Sequence, residues 1–233
     1  MKKNLFITVA LLVVLILGEL LIWNKIVVPN EVKEYDLKKA KELVDKFYTD
    51  NYIISGNVFK DGMTERYKIS MAFNESKKAK EYECKELYKE AKTDDQGIVV
   101  GDGTFCDDKV KGILYADLEK SYKDLFGNNS KLMKKSVGIF DYIKDENLFT
   151  YLSCRCGGVD MTQYIYGIKD ATLKGKDLVI NVYYSEYEKE EAEEEKVDPE
   201  KYIKENKDKM SIYQMDFVKE GKLFKLLEVK KVR

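Results

Sequence analysis

The chain reads as an α+β protein. It has an N-terminal transmembrane helix, then helices packed on a C-terminal antiparallel sheet, meander-like and of cystatin-like or NTF2-like form. Three observations predict this. One apolar run near the N-terminus is long enough for a single span. Helix-period patterns dominate the segment that follows it. From residue 140 onward the period is two, punctuated by turn residues.

The span comes first. Lys2 and Lys3 precede an apolar run from Leu5 to Trp23, broken only by Thr8, Gly18 and Glu19. At about 1.5 Å per residue such a helix crosses a hydrocarbon core of about 30 Å. Trp23 falls where the headgroups begin, which suits its amphipathic ring. No A-x-A-like site follows the run and no cysteine sits near its end, so neither a cleaved signal peptide nor a lipoprotein anchor is indicated. Glu19 lies close enough to the Trp23 end to reach the interface or stay protonated; pairing with another membrane protein is its functional reading. The short Lys2-Lys3 tail reads as cytoplasmic. Lys25, Lys33, Lys38, Lys39 and Lys41 follow the span, but long domains translocate largely regardless of such charge. The expected layout is residues 1–23 as cytoplasmic tail and anchor, 24–35 as tether, and 36–233 as an extracytoplasmic domain on a single-pass cell-membrane protein.

Within the domain, Pro29 blocks continuation of the first helix. Asp36 can cap a helix over 37–50, with Leu37, Ala40, Leu43, Val44, Phe47 and Tyr48 at helical spacing. A second helix is expected over Met63–Asn74 and a third from Ser76 to Lys92. Gly97–Gly103 reads as turn and short strand. Asp117 can cap a helix through Phe126, with Gly127 at its C′ position. Strands are expected at Phe140–Lys144 and Leu148–Cys154 around Asp145-Glu146-Asn147, then at Tyr164–Leu173. Another carries Leu178, Ile180, Val182 and Tyr184 after a turn at Gly175-Lys176-Asp177. A last hairpin, Ile212–Val218 and Lys222–Lys230, folds around Glu220-Gly221. Residues 186–210 form an acidic excursion, a solvated stretch that begins with a glutamate-rich run. Within it Asp198-Pro199-Glu200 marks a helix start.

Composition excludes some chemistry. Of 233 residues 44% are hydrophobic and 36% charged, too apolar for disorder and too charged for more than one span. The formal net charge is -1, so no global field draws the chain to nucleic acid. Histidine is absent, which removes Ser-His-Asp triads, Cys-His dyads and HExxH zinc sites. The abundance of Lys and Tyr and the scarcity of Pro and Trp match an AT-rich genome.

The four cysteines are Cys84, Cys106, Cys154 and Cys156, an even number that suggests disulfides in an extracytoplasmic domain. Cys84–Cys106 is the preferred pair, closing a loop of about 21 residues worth roughly 3 kcal/mol on the loop-entropy model. Cys154 and Cys156 share one face of a strand and need a tight turn to bond; Gly157-Gly158 allows one. A zinc site and a redox pair are the alternatives, though neither spacing is the usual one. Asp94, Asp95, Asp102, Asp107 and Asp108 crowd one loop without the spacing of a calcium site. The reading assigns no cofactor, no metal and no catalytic residue. Tyr142, Tyr151, Tyr164, Tyr166, Tyr183, Tyr184 and Tyr187 fall on the expected sheet. They serve as core and cross-strand pairs, or as an exposed aromatic face for peptide or glycan.

Around Tyr115, Tyr122-Lys-Asp-Leu-Phe-Gly127, Phe140-Asp-Tyr-Ile143, Tyr151 and Gly157-Gly158, the chain resembles signal-anchored extracytoplasmic proteins of AT-rich Gram-positive bacteria. That resemblance implies the outward orientation and carries no activity with it. The leading expectation is a membrane-tethered binding module, with lipid as partner through residues 5–23 and a protein, peptide or cell-envelope polymer as ligand. The alternatives are a histidine-independent, carboxylate-based envelope hydrolase, which needs a cleft with two carboxylates about 5–9.5 Å apart, and an accessory subunit of a membrane complex.

Overall fold

The structure is a computed structural model that describes residues 31–48, 57–101, 103–154, 162–188 and 197–233. It is α+β, with antiparallel sheets and few helices. Among the described residues no helix is long and apolar enough to cross a membrane. Leu5, Glu19 and Trp23 lie outside those residues, as do Asp102, Cys156, Gly157 and Gly158.

The main sheet has the order β1-β10-β11-β12-β13, all neighbours antiparallel. β1 is Val32–Glu34, β10 Thr162–Lys174, β11 Asp177–Glu188, β12 Ser211–Glu220 and β13 Leu223–Lys231. Two-residue turns join Lys174 to Asp177 and Glu220 to Leu223, and Gly175 and Gly221 in them have φ of 61° and 62°. That left-handed backbone is where glycine costs least. Alternation along β11 turns Leu178, Ile180, Val182 and Tyr184 to one face, where all four are buried. Register sets Met215 and Phe217 of β12 beside Ile180 and Leu178.

Helix α1, Leu37–Phe47, packs on that face through Ala40, Val44 and Phe47. Asp36 caps it, its carboxylate accepting from Lys39 N at 2.8 Å. α2, Val58–Asp61, is a single turn capped by Asn57. α3, Glu65–Glu75, starts from Thr64, whose hydroxyl accepts from Tyr67 N at 3.1 Å. Phe47 is the joint of the core: its ring lies 5.6 Å from Phe217 and 6.1 Å from Phe126, and its carbonyl accepts the Tyr67 hydroxyl proton.

Between these parts lie two smaller sheets. One is ordered β2-β6-β8-β7: Lys80–Glu83, Lys109–Leu114, Leu148–Tyr151 and Phe140–Ile143. The other is ordered β3-β4-β5-β9: Thr93–Asp94, Gly97–Gly101, Thr104–Cys106 and Ser153–Cys154. The one-turn α4, Cys84–Leu87, and helix α5, Tyr115–Phe126, complete this region. Cys84 is bonded to Cys106, Cα to Cα 5.8 Å, as the spacing suggested. Around that bond Ile98, Val110 and Leu152 form a small second core.

Several sequence expectations change. The first helix ends at Phe47, not residue 50, because Tyr48 is already extended at ψ 141°. The expected helix over 76–92 is instead β2 and α4, since Lys80–Glu83 is recruited as a strand beside β6. Asp117 is not the cap of α5: the cap position is Leu114, three residues earlier, with no side-chain cap, and Asp117 lies in the first turn. Residues 32–34, placed in the tether by composition, form β1, and Tyr35 N donates to Ala171 O at 2.9 Å. Helix α6, Pro199–Asn206, follows Asp198 as the Asp-Pro-Glu signal predicts, the Asp198 carboxylate accepting from Glu200 N at 2.9 Å.

Candidate functional site

A groove of about 990 Å³ runs along β10 beyond β1, between α1 and α6. That volume is at the upper end of the roughly 300–1,000 Å³ of ligand sites. Its floor is Tyr164, Tyr166, Gly167 and Ile168. One wall is Leu37, Lys38 and Lys41 of α1; the other is Asp198 with Pro199, Glu200, Ile203 and Lys204 of α6.

Alternation along β10 explains why two helices flank one strand. Tyr166 pairs with Tyr184 and Ile168 with Val182, so their side chains share the face on which α1 packs. Gly167 points to the opposite face. There a Cβ would stand 2.6 Å from Ile203 Cδ1, so the missing side chain is what lets α6 lie against the sheet. Tyr187 and Ser185 hold the same helix from β11: the Tyr187 and Tyr202 rings meet edge to face at 5.9 Å, and the Ser185 and Tyr202 hydroxyls are 3.4 Å apart.

The floor is the outer end of an aromatic column that runs into the core. Tyr48 packs against Tyr166 at 4.3 Å between centroids with the rings tilted by 43°, and Phe59 links Tyr48 to Tyr184 at 6.1 and 5.0 Å. Tyr164 lies nearly parallel to Tyr184, 6.4 Å away. The Tyr166 hydroxyl donates to Asp45 Oδ1 at 2.6 Å, and Lys41 reaches the same carboxylate at 2.9 Å while sitting 5.3 Å over the Tyr166 ring. At the buried end the Tyr184 hydroxyl accepts from Asn57 Nδ2 at 2.6 Å and donates to Glu186 at 3.3 Å. Burial first, and the Glu186 charge second, push the Tyr184 pKa well above its ordinary value. Tyr184 is thereby held neutral, and hydrogen bonds fix the orientation of the Tyr166 and Tyr184 hydroxyls.

The polar groups of the walls differ in sign. Lys38 and Lys41 stand on α1; Asp198 and Glu200 stand on α6, with Lys204 beside them. Asp198 spends its carboxylate on the α6 N-terminus. The groove thus offers apolar contact, ring faces and fixed charges, which is binding chemistry.

The other sequence candidates fall elsewhere. Cys84 and Cys106 are buried in the second core, and Cys154, on β9 opposite Thr104, is also disulfide-bonded. Asp94 closes a turn by accepting from Gln96 N at 2.8 Å. Among the described residues no group of three or more Cys, Asp or Glu side chains could hold a metal ion. Tyr142 and Tyr151 pack in the second sheet, away from the groove. Sequence reasoning missed the groove itself, and also a polar knot in which the Tyr88 hydroxyl meets Thr150 Oγ1 at 2.8 Å and Asp141 Oδ2 at 3.2 Å. Burial, the largest cause, raises the Tyr88 pKa, so the knot ties the segment after α4 to β7 and β8 with a neutral donor.

No protein-family model, no curated protein and no solved structure matches the chain.

Proposed function

We propose that this chain is a membrane-tethered extracytoplasmic binding module that seats an extended protein segment in the groove along β10. The observation that carries the reading is the groove's composition. An aromatic and aliphatic floor lies between one wall bearing Lys38, with Lys41 held by Asp45, and one bearing Glu200 and Lys204, with Asp198 capping α6. A polypeptide presents apolar side chains and charges of both signs within a few residues, which such a groove complements. Its position agrees with a tether at the start of the domain. β1 begins at Val32, opposite Lys174, whereas Tyr166 is eight residues farther along β10, about 27 Å away at strand rise. A bilayer at the first end leaves the groove facing outward. Leu5–Trp23 supplies the anchor in this reading, with the short Lys2-Lys3 tail on the cytoplasmic side. The five-stranded sheet with α1 on one face supports the cystatin-like or NTF2-like form, from which no activity follows.

Selection of a random peptide library on the full chain in lipid nanodiscs tests the groove. Selected peptides are expected to bind at least tenfold more weakly, about 1.4 kcal/mol, to the exposed-site variants Leu37→Asp and Lys38→Glu, with melting unchanged. Affinity indifferent to both variants would overturn the assignment, and a library that yields no binder while soluble cell-envelope polymer fragments titrated in parallel do bind would replace the peptide. Carbonate extraction and protease treatment of intact cells test the tether: the chain is expected in the membrane pellet and open to external protease.

A further inference from the structure

We infer that the end of the main sheet where β1 begins is a docking surface for an anionic lipid bilayer, which holds the domain upright with the groove outward. The inference rests on the anchor reading above and adds to it a second membrane contact. Strand directions bring three chain segments to this end. β1 starts there with Val32 opposite Lys174. The β10–β11 turn and the β12–β13 turn lie side by side, Lys219 N donating to Lys176 O at 2.8 Å. Together they present Lys33, Lys174, Lys176, Lys219 and Lys222, all exposed.

Most of this charge is not spent inside the protein. Lys33 meets Glu31 at 2.9 Å and Lys219 lies 6.0 Å over the Phe224 ring. Lys174, Lys176 and Lys222 have no ion-pair partner among the described residues. The acidic groups of this end are Glu31, Asp177 and Glu220, and the Glu220 carboxylate accepts from Asn128 Nδ2 at 3.0 Å. Two large apolar side chains are exposed among the lysines, Val32 at 61% and Leu223 at 48%. Lysines around a few exposed aliphatic groups are the composition that binds a headgroup layer.

What selects a bilayer over another polyanion is tether length. Seven residues, 24–30, separate Trp23 from Glu31. Fully extended, the eight steps from Trp23 to Glu31 reach at most about 29 Å. With Trp23 at the interface, this end of the sheet cannot leave the neighbourhood of the headgroups, whereas α6 and the groove lie at the other end of β10.

Lysine-acylation footprinting by mass spectrometry tests the inference on the full chain in nanodiscs of phosphatidylglycerol or of phosphatidylcholine. Lys174, Lys176 and Lys222 are expected to react several-fold more slowly in phosphatidylglycerol. Lys204 and Lys207, at the far end, are expected to be unchanged. The protection should vanish at about 0.5 M salt, where the Debye length is about 4 Å. It should also vanish at Lys174 in the double variant Lys176→Glu/Lys222→Glu, whose melting should match wild type because both sites are exposed turn positions. Equal reactivity in the two lipids, with the chain retained in the disc, overturns the docking surface and leaves the anchor standing. Failure of the chain to stay in either disc overturns the anchor, and the docking surface with it.

Discussion

The main sheet and the short strands around Cys84–Cys106 are built from the same kinds of residue and held together by different means. β10, β11, β12 and β13 run 13, 12, 10 and 9 residues. β11 adds four buried side chains and β12 two to a core shared with α1, α3 and α5, while β10 and β13 add Ala171 and Leu226 with partly buried neighbours. The strands of the two smaller sheets run only two to six residues. Those around Cys84–Cys106 enclose a core of five buried residues, two of them the cysteines themselves. Long strands amortise the entropy of ordering over many buried side chains; short strands over a small core do not, and a covalent bond takes the place of missing apolar area.

The largest effect that tests this contrast is truncation at the joint of the main core. Phe217 is 1% exposed and packs on Phe47. Phe217→Ala is expected to cost about 3–5 kcal/mol in denaturant unfolding and to lower every structural probe together. A loss confined to the sheet, with α5 unaffected, would show that the core is not shared.

Removing the disulfide comes next. Cys84 and Cys106 are 22 residues apart, and Cys84→Ser with Cys106→Ser is expected to cost about 3 kcal/mol. Here the effect should be regional: amide exchange accelerates across β2–β5 while β10–β13 keep their protection. Equal acceleration everywhere would make the two regions one cooperative unit and dissolve the comparison.

Alkaline pH probes the main core from another side. Tyr67 has an ordinary pKa of 10.0 that burial pushes strongly upward, and its hydroxyl donates to Phe47 O. The folded pKa is raised, so its contribution is complete below pH 10, where both states hold the proton. Above that the unfolded chain ionises first, and stability falls by about 1.4 kcal/mol for each pH unit. Tyr88, Tyr122 and Tyr184 are raised in the same way and add to the fall, so Tyr67→Phe should reduce the total slope by up to about 1.4 kcal/mol per pH unit between pH 10 and 11.5 in chemical denaturation; an unchanged slope would refute the assignment.

What could be read from the sequence follows the same division. The hairpins at Gly175-Lys176 and Gly221-Lys222, the caps Asp36 and Asp198 and the Cys84–Cys106 pair were all legible, because each rests on residues close together in the chain. Lys80–Glu83 was not: a segment of three polar helix-formers and one tyrosine becomes a strand because β6 supplies the backbone partner, with Tyr82 laid 3.0 Å from where Gly112 would carry a Cβ. β1 has no buried residue and is held by backbone pairing with β10. The candidate groove was hidden for the same reason. The tyrosines of its floor were visible as a set, but α1 and α6 meet β10 through contacts far apart in sequence.

The smallest predicted effect isolates one such contact. A methyl added at Gly167 would stand 2.6 Å from Ile203 Cδ1. The clash is with the far end of a flexible side chain, so Gly167→Ala should cost about 1 kcal/mol, the low end for overpacking. None of the residues of α6 is buried, so beyond Ile203 the helix is held by partly exposed contacts such as those of Tyr202 with Tyr187 and Ser185, and the cost should appear as local release. Amides of 199–206 are expected to exchange faster while those of β11 and β12 do not change. Ile203→Ala in the same chain removes the clashing atoms and should restore the helix, though less than fully, because Ile203 also supplies part of the α6 wall. If Gly167→Ala left α6 exchange unaltered, the glycine would not be what admits the helix, and that wall of the groove would need another explanation.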